Sequence, residues 1–329
     1  MALEVVSPGL LTSVQDLGRP GYQRFGVPVA GAMDRYAFQA ANSLVCNPPG
    51  AAALEITIAG PQLHATEDCL IAVAGADLGL RVNGARMPLW MSVFVRRGYD
   101  ISFDGRRSGC RAYLAVAGGI EVPRVMGSRS TYLRGGFGGH GGRALAEGDA
   151  LPVGATNVHL FGQAGKEWPD SPRPPYSDAP TVEVILGPQD DHFTEEGIST
   201  FLSEEYSVDG LSDRMGCRLR GQTIRHRSSA DIVSDGIVLG AVQVPSDGQP
   251  IVMMADRQTT GGYPKIAAVA SADIPLLAQC MPGGSRVRFR ETTVEAAQMR
   301  CRKMLSALKG IPQSDSPWST ARGENNRGD

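Results

Sequence analysis

Cysteine is sparse and scattered: Cys46, Cys69, Cys110, Cys217, Cys280 and Cys301 lie far apart, with no C-x-x-C pair. That spacing excludes a zinc ribbon and the disulfide framework of a small secreted domain, and it fits a reducing compartment. The five histidines, His64, His140, His159, His192 and His226, never fall at metal-ligand spacing, so no metal site is expected. Basic charge is not in excess either. Lys and Arg number 32 against 34 Asp and Glu, a net charge of −2, and the cations form no stripe. Nucleic-acid binding, which needs such a stripe, is not expected. No apolar run approaches the ~18 residues that cross a bilayer, and the opening Met-Ala-Leu-Glu-Val-Val has no basic region or long apolar stretch. The expectation is a cytoplasmic protein with no membrane association.

Two enzyme signatures are also missing. The one Gly-Lys pair, Gly165-Lys166, is followed by Glu167 and has Leu160 where the first P-loop glycine belongs. No G-x-S-x-G nucleophile elbow occurs, which argues against an α/β-hydrolase.

What is present is turn chemistry and short strands. Glycine (41) and proline (22) separate β-branched or aromatic runs at 70–74, 89–95, 99–103, 111–116, 182–186, 232–239, 251–254 and 286–289. Helical periodicity is confined to 34–44, with Asp34 suited to cap it, and to 190–202, 272–279 and 294–308. The last opens at Thr292-Thr293 as a cap, stops at Gly310, and carries an apolar face expected to pack on a barrel. The fold class is therefore mainly β with a few helices. At 329 residues two domains are expected. The Pro/Ser/Asp-rich segment 167–180 suits a linker, which sets an N-terminal domain at 1–166, a C-terminal domain at 181–310 and a mobile tail at 311–329. The phrases Gly98-Tyr-Asp-Ile-Ser-Phe103 and Gly284-Ser-Arg-Val-Arg-Phe289 read as a trace of duplication.

The densest chemistry lies at 256–265, where Asp256, Arg257, Gln258, Thr259, Thr260, Tyr263 and Lys265 surround Gly261-Gly262 directly after an apolar strand. Polar groups leaving a rigid strand at one rim are the usual construction of a polar ligand site. The upstream loop at 240–250, with Gln243, reads as the partner strand of one site-bearing hairpin. The two glycines are expected to serve positive φ or a close approach, with Gln258, Thr260 and Lys265 binding the ligand; the alternative is a plain tight turn.

Two arginines sit in turns. Arg19, after Gln15-Asp16 and between Gly18 and Gly21, and Arg214, in Ser212-Asp-Arg-Met-Gly216, suit a planar, bidentate grip on a carboxylate. A buried structural ion pair is the competing role. Asp190-Asp191-His192 could hold a cation, but acidic residues opening a helix explain it more simply. The run Gly135-Gly-Phe-Gly-Gly-His-Gly-Gly142 leads into no long helix, so a dinucleotide fingerprint is a poor match. A substrate-side loop or plain disorder remain. A pocket is expected where the Gln15/Asp16/Arg19 loop meets Arg214 and the loop from Gln258 to Tyr263.

Four ordered motifs carry a resemblance. Gly9-Leu-Leu-Thr-Ser-Val-Gln-Asp-Leu-Gly-Arg-Pro-Gly-Tyr22, Asp213-Arg-Met-Gly-Cys-Arg-Leu219, Gly240-Ala-Val-Gln-Val-Pro245 and Ala255-Asp-Arg-Gln-Thr-Thr-Gly-Gly-Tyr-Pro-Lys265 resemble the allophanate hydrolase subunit 2, or biotin-dependent carboxyltransferase-like, family over about residues 3–308. The resemblance implies two tandem cyclophilin-like β-barrel domains. It also implies membership of an ATP-dependent 5-oxoprolinase complex as its C-type component, opening 5-oxo-L-proline to L-glutamate beside A-like and B-like 5-oxoprolinase subunits. Such a part of an amide hydrolase is expected to act only in the complex, with ATP bound by the complex at a site this sequence does not reveal. One alternative is a carboxyltransferase half acting on urea or a similar small amide with a biotin-bearing partner. Another is a regulator that binds a subunit-1-like, kinase-inhibitor partner. No Met-Lys-Met site occurs, since Met253-Met254 precedes Ala255, so no covalent biotin is expected on this chain. His192 departs from the aromatic residue common at that position. The substrate-binding set expected here is Gln15, Asp16, Arg19, Arg214, Gln243, Gln258, Thr259, Thr260, Gly261, Gly262, Tyr263 and Lys265, and no catalytic acid or base is singled out.

Overall fold

The computed structural model describes residues 2–171 and 173–309. The tail expected at 311–329 and the stop at Gly310 lie outside them. The described chain is mainly β, with two β units in sequence and four α-helices.

The first unit is a pair of antiparallel sheets. One has six strands, in the spatial order Ala150–Pro152, Ala2–Ser7, Gln62–Ala65, Asp100–Phe103, Leu80–Val82, Ala85–Arg86. The other has five, in the order Leu11–Gln15, Ala53–Thr57, Ser108–Val116, Cys69–Asp77, Ser92–Val95. Leu3, Val5, Leu63 and Ile101 meet Val14, Leu54, Ile71 and Leu114 between them. Helix α1 (Arg35–Leu44) covers the far face of the five-stranded sheet, burying Tyr36, Phe38 and Leu44 against Leu70, Ala72 and Tyr113. That sheet is thus covered on both faces. For this reason 70–74 and 111–116 read as continuous apolar runs and not as alternation.

The second unit is a closed seven-stranded barrel, in the order Thr181–Leu186, Lys265–Val269, Ala241–Gln243, Ile251–Met253, Gly216–Arg220, Glu205–Val208, Arg286–Glu291. Closure comes from parallel pairing of its first and last strands, with Val182 opposite Phe289. Helix α2 (Glu195–Ser203) is capped by Thr194, whose Oγ1 accepts from Gly197 N at 3.0 Å, and it stacks Phe201 on Phe289 at 4.4 Å. Helix α3 is the short Ile274–Ala278, and helix α4 spans Val294–Lys309.

Several expectations change. The segment 232–239 is not a long strand: only Asp235–Gly236 pairs, with Thr260–Gly261, because the outward side chains Val233 and Val238 have nothing to pack on. Asp190–His192 forms a 3-10 turn and the helix begins only after Thr194, so the acidic pair opens no α-helix. Helix α4 packs on the barrel unit's Ser271–Asp273 turn and also reaches the first unit. Met304 and Leu308 return to the α1 cluster of the first unit, while Arg300 is held by Glu183 and Asp273.

The segment 167–180 packs on the first unit. Trp168 is fully buried with Nε1 donating to Tyr36 Oη at 3.0 Å, and Tyr176 Oη donates to Asp34 at 2.6 Å. The two units also share an interior. Met33 of the first lies in the core of the second, a burial that contributes about 1.5–3 kcal/mol. Gln279 of the second satisfies its whole amide in the first: Oε1 accepts from Cys110 N and Arg111 N at 2.9 Å, and Nε2 donates to Asp34 and Arg111 O.

Candidate functional site

The predicted residues fall into three groups. The first surrounds the end of the strand Leu11–Gln15. Asp16 is fully engaged, its two oxygens accepting from Gly18 N, Ser128 Oγ, Ser130 Oγ and Arg129 N. Three of these bonds fall on Oδ1 and one on Oδ2, and together they shape the loop. Gln15 donates to Ser13 Oγ at 3.0 Å and Thr131 O at 3.3 Å, but its buried Oε1 has no partner. Arg19 is only 1% exposed. Its Nη2 donates to Ser130 O and its guanidinium lies 4.9 Å from the Phe137 ring centre, while Nε and Nη1 meet no acceptor. Burial lowers its pKa from the ordinary arginine value, an effect that Asp16 and Asp256 only partly offset.

The glycine run packs over that arginine. Gly138 has φ 74°, and a Cβ there would lie 2.1 Å from Ser130 O and 2.8 Å from Arg19 Nη2. Only glycine fits such an approach. The run is an ordered turn and not a disordered segment: Gly139 N donates to Arg129 O and Gly142 N to Gly138 O. No helix follows the run, so it lacks the strand–loop–helix arrangement that holds a nucleotide phosphate.

The second group lies between the units. Arg214 donates four hydrogen bonds: Nε and Nη2 to Asp256 at 3.0 and 2.9 Å, Nη2 to Gly31 O at 2.6 Å, and Nη1 to Glu55. Burial works against its charge, but Asp256 and Glu55 outweigh it, so its pKa is raised. Glu55 is pulled below the ordinary carboxylate value because Arg214 and Arg111 together overcome its burial. Arg214 therefore occupies the role of a buried ion pair, which its turn sequence left open. Beside it a cavity of ≈ 290 Å³ opens between the units.

The third group is the hairpin region. The strand Ala241–Gln243 lies between Ile251–Met253 and Lys265–Val269, so the loop from Met254 to Pro264 crosses the barrel rim. Gln243 Nε2 donates to Tyr263 O at 3.2 Å and Gln258 Nε2 to Gln243 Oε1 at 3.4 Å, leaving the buried Gln258 Oε1 without a partner. The Lys265 side chain is 4% exposed and its Nζ donates to Asp235 at 3.1 Å, a bond that holds the Asp235 carboxyl below its usual range. Thr259 O and Gly262 O accept from the backbone N–H groups of Ile237 and Ile232. The close approach falls on one residue of the pair, and it is to the end of the Gln243 side chain. A Cβ at Gly261 would lie 2.8 Å from Gln243 Nε2, whereas at Gly262 the nearest atom is at 3.4 Å, and neither has positive φ.

The inter-unit cavity is bordered by Arg214 and Asp256, but by neither Arg19 nor Gln258. Asp256, two residues before Gln258, nonetheless lies close enough for its charge to act on both Arg19 and Tyr132. Sequence reasoning missed Arg111, Glu55 and Gln279. Their signal was a charged or amide side chain interrupting an apolar strand or helix, as Glu55 does between Leu54 and Ile56. Among the described residues, no three His, Cys, Asp or Glu side chains gather to hold a metal.

The family model described as carboxyltransferase domain, subdomain A and B, matches residues 25–291, across both units, including Arg214 and the hairpin region but beginning after Arg19. The chain belongs to this carboxyltransferase family. Within it, the chain is 36% identical over 298 residues to the C subunit of 5-oxoprolinase from Escherichia coli (strain K12), covering 90% of this chain and 93% of that protein. It is also 36% identical to the C subunit of 5-oxoprolinase from Haemophilus influenzae, with 88% and 91% covered. Among solved structures, the Kluyveromyces lactis urea carboxylase superposes with a TM-score of 0.87 at 33% identity over 93% of this chain, yet the chain spans 29% of that protein. These relatives are enzymes or enzyme subunits. No helix among the described residues is long and apolar enough to cross a membrane.

Proposed function

We propose that this carboxyltransferase-family chain is the C-type subunit of an ATP-dependent 5-oxoprolinase, active in the cytoplasm beside A-like and B-like partners. The observation that carries this is the likeness to two C subunits of 5-oxoprolinase, each 36% identical over 90% and 88% of this chain respectively. In this reading water adds across the lactam C–N bond of 5-oxo-L-proline to give L-glutamate, driven by hydrolysis of ATP to ADP and phosphate. The nucleotide is assigned to the partner chains, since no helix follows the glycine run to present its N-terminus to a phosphate. What this chain supplies is positioning. The unpartnered Nε and Nη1 of Arg19 and the unpartnered Oε1 atoms of Gln15 and Gln258 are buried donors and acceptors of the kind a small polar amide satisfies.

Reconstitution tests it. The chain mixed with candidate A-like and B-like partners is expected to release glutamate in an ATP-dependent manner, and the chain alone is not. Gln258→Ala is expected to cut turnover of the complex sharply while moving stability by no more than about 0.5 kcal/mol, since it removes the unsatisfied Oε1 together with only one long bond, of 3.4 Å, to Gln243. Wild-type turnover in that variant moves the site away from the hairpin. Full activity of the chain alone overturns the partner requirement.

A second reading has its own support. The close superposition on the urea carboxylase fits a carboxyltransferase half acting on urea or a similar amide with a biotin-bearing partner. Bicarbonate- and biotin-dependent carboxylation of urea, with no glutamate release, selects that reading.

A further inference from the structure

We propose that the cavity between the two units binds a small planar carboxylate, with Arg111 as its anion-binding group. The cavity measures ≈ 290 Å³, and its walls include Leu11, Ile58, Arg111, Arg134, Met215 and Pro282. That is the lower end of the range for small-molecule sites, which suits a ligand of one ring or less.

Arg111 is 5% exposed, yet its guanidinium is poorly served. Nη1 donates to Ala278 O at 2.6 Å and lies 3.7 Å from Cys110 Sγ, while Nε meets no acceptor. Among the described residues no carboxylate stands at ion-pair distance from it. Glu55 acts on Arg111 through its field, but both Glu55 oxygens are committed: Oε1 to Arg214, and Oε2 to Met33 N and Tyr113 Oη at 2.9 and 2.7 Å. A buried guanidinium with one carbonyl, a thiol and no paired carboxylate is incompletely compensated. It becomes favourable when a ligand carboxylate supplies two oxygens in the plane of the fork.

A second observation comes from the backbone. Ile58, on the cavity wall, has φ 65°. A β-branched residue in the left-handed region is strained, and such strain concentrates at ligand sites. At the mouth, Arg134 of the first unit meets Asp213 of the second at 3.2 Å, both half exposed, so the entrance is an ion pair open to exchange.

This rests on the proposed function in one respect: 5-oxo-L-proline is the carboxylate that reading supplies, whereas bicarbonate or a carboxylated amide is the source in the carboxyltransferase reading. The test is calorimetric titration of the full chain with 5-oxo-L-proline, with 2-pyrrolidinone (the same lactam lacking the carboxylate), and with bicarbonate. A carboxylate is expected to bind at least about tenfold more tightly than 2-pyrrolidinone, with the affinity reduced by a similar factor in Arg111→Gln and partly recovered in Arg111→Lys. Because Arg111 also supports Ala278, Leu11→Trp provides a second arm, filling the cavity from the half-buried edge of a strand. Bicarbonate bound in preference to 5-oxo-L-proline supports the site and reassigns its source. Unchanged carboxylate affinity in either Arg111→Gln or Leu11→Trp, or no carboxylate bound by the wild-type chain at millimolar concentration, overturns the site. The outcome is separable from the proposed function: glutamate release by a complex carrying Arg111→Gln at the wild-type KM sinks the site alone, and carboxylate binding without any glutamate release sinks the activity alone.

Discussion

Arg19 and Arg214 sit in similar glycine-flanked turns, one in each unit, and the tertiary structure gives them opposite surroundings. Arg214 is met by Asp256, Glu55 and Gly31 O, so its charge and nearly all its donors are used within the protein. Arg19 is buried just as deeply but receives one carbonyl and an aromatic ring, and two of its donor atoms stay unpaired. A completed buried arginine joins elements of the fold, and an incomplete one is held ready for something else. The difference lies in their neighbours and not in the local sequence.

The largest test of this comparison is Arg214→Met. It leaves Glu55 and Asp256 buried side by side without their cation, so unfolding stability is expected to fall by about 3–5 kcal/mol. A denaturant midpoint close to that of the wild type would remove the argument that Arg214 joins the units. Next in size is Gly138→Ala above Arg19. Left-handed strain and collision with Ser130 O and Arg19 Nη2 together are expected to cost about 1–3 kcal/mol. Gly136→Ala, where φ is 65° but nothing lies within 4 Å, carries the strain without the collision and should cost less. Equal losses would mean that the loop does not press on Arg19.

The smallest expected effect sharpens how that loop is anchored. Beyond the glycine run, Arg143 grips Asp149 through two bonds of 2.7 Å, with Ala146 N adding a third at 2.8 Å. The Arg143 hydrogen bonds hold the Asp149 carboxyl down at about 2. A depressed carboxylate stabilises the fold above its unfolded value of about 3.9 and loses that contribution as pH falls through the folded value. Asp149→Asn should therefore lower stability by a constant amount from neutral pH to about pH 4, with the gap to wild type closing toward pH 2. A gap that persists at pH 2 would assign the loss to packing.

The β class, the positions of most strands and the cap of α1 at Asp34 were legible because local rules govern them: turn residues, periodicity and N-cap chemistry act over a few positions. The extent of α2 was not, since Asp190–His192 and Glu195–Ser203 share acidic, helix-compatible composition and only the extended backbone at Phe193 and Thr194 divides them. The site was legible as a set of loops and illegible as a geometry. Polar, glycine-flanked segments announce that a loop has chemistry, and the glycine pair at 261–262 announced a close approach without saying which glycine makes it. Arg111 and Glu55 were hidden because each sits inside a strand buried on both faces, where sequence shows only an odd charge among apolar residues. By itself, then, the sequence determined a β-rich chain, its family and the segments that bear polar groups, all of which follow from local pattern. Only the tertiary structure decided which arginine is completed by carboxylates, which is left wanting an acceptor, and where a cavity opens. Hydrogen-bond satisfaction inside a protein depends on atoms contributed from residues more than a hundred positions apart, as Arg214 and Glu55 are.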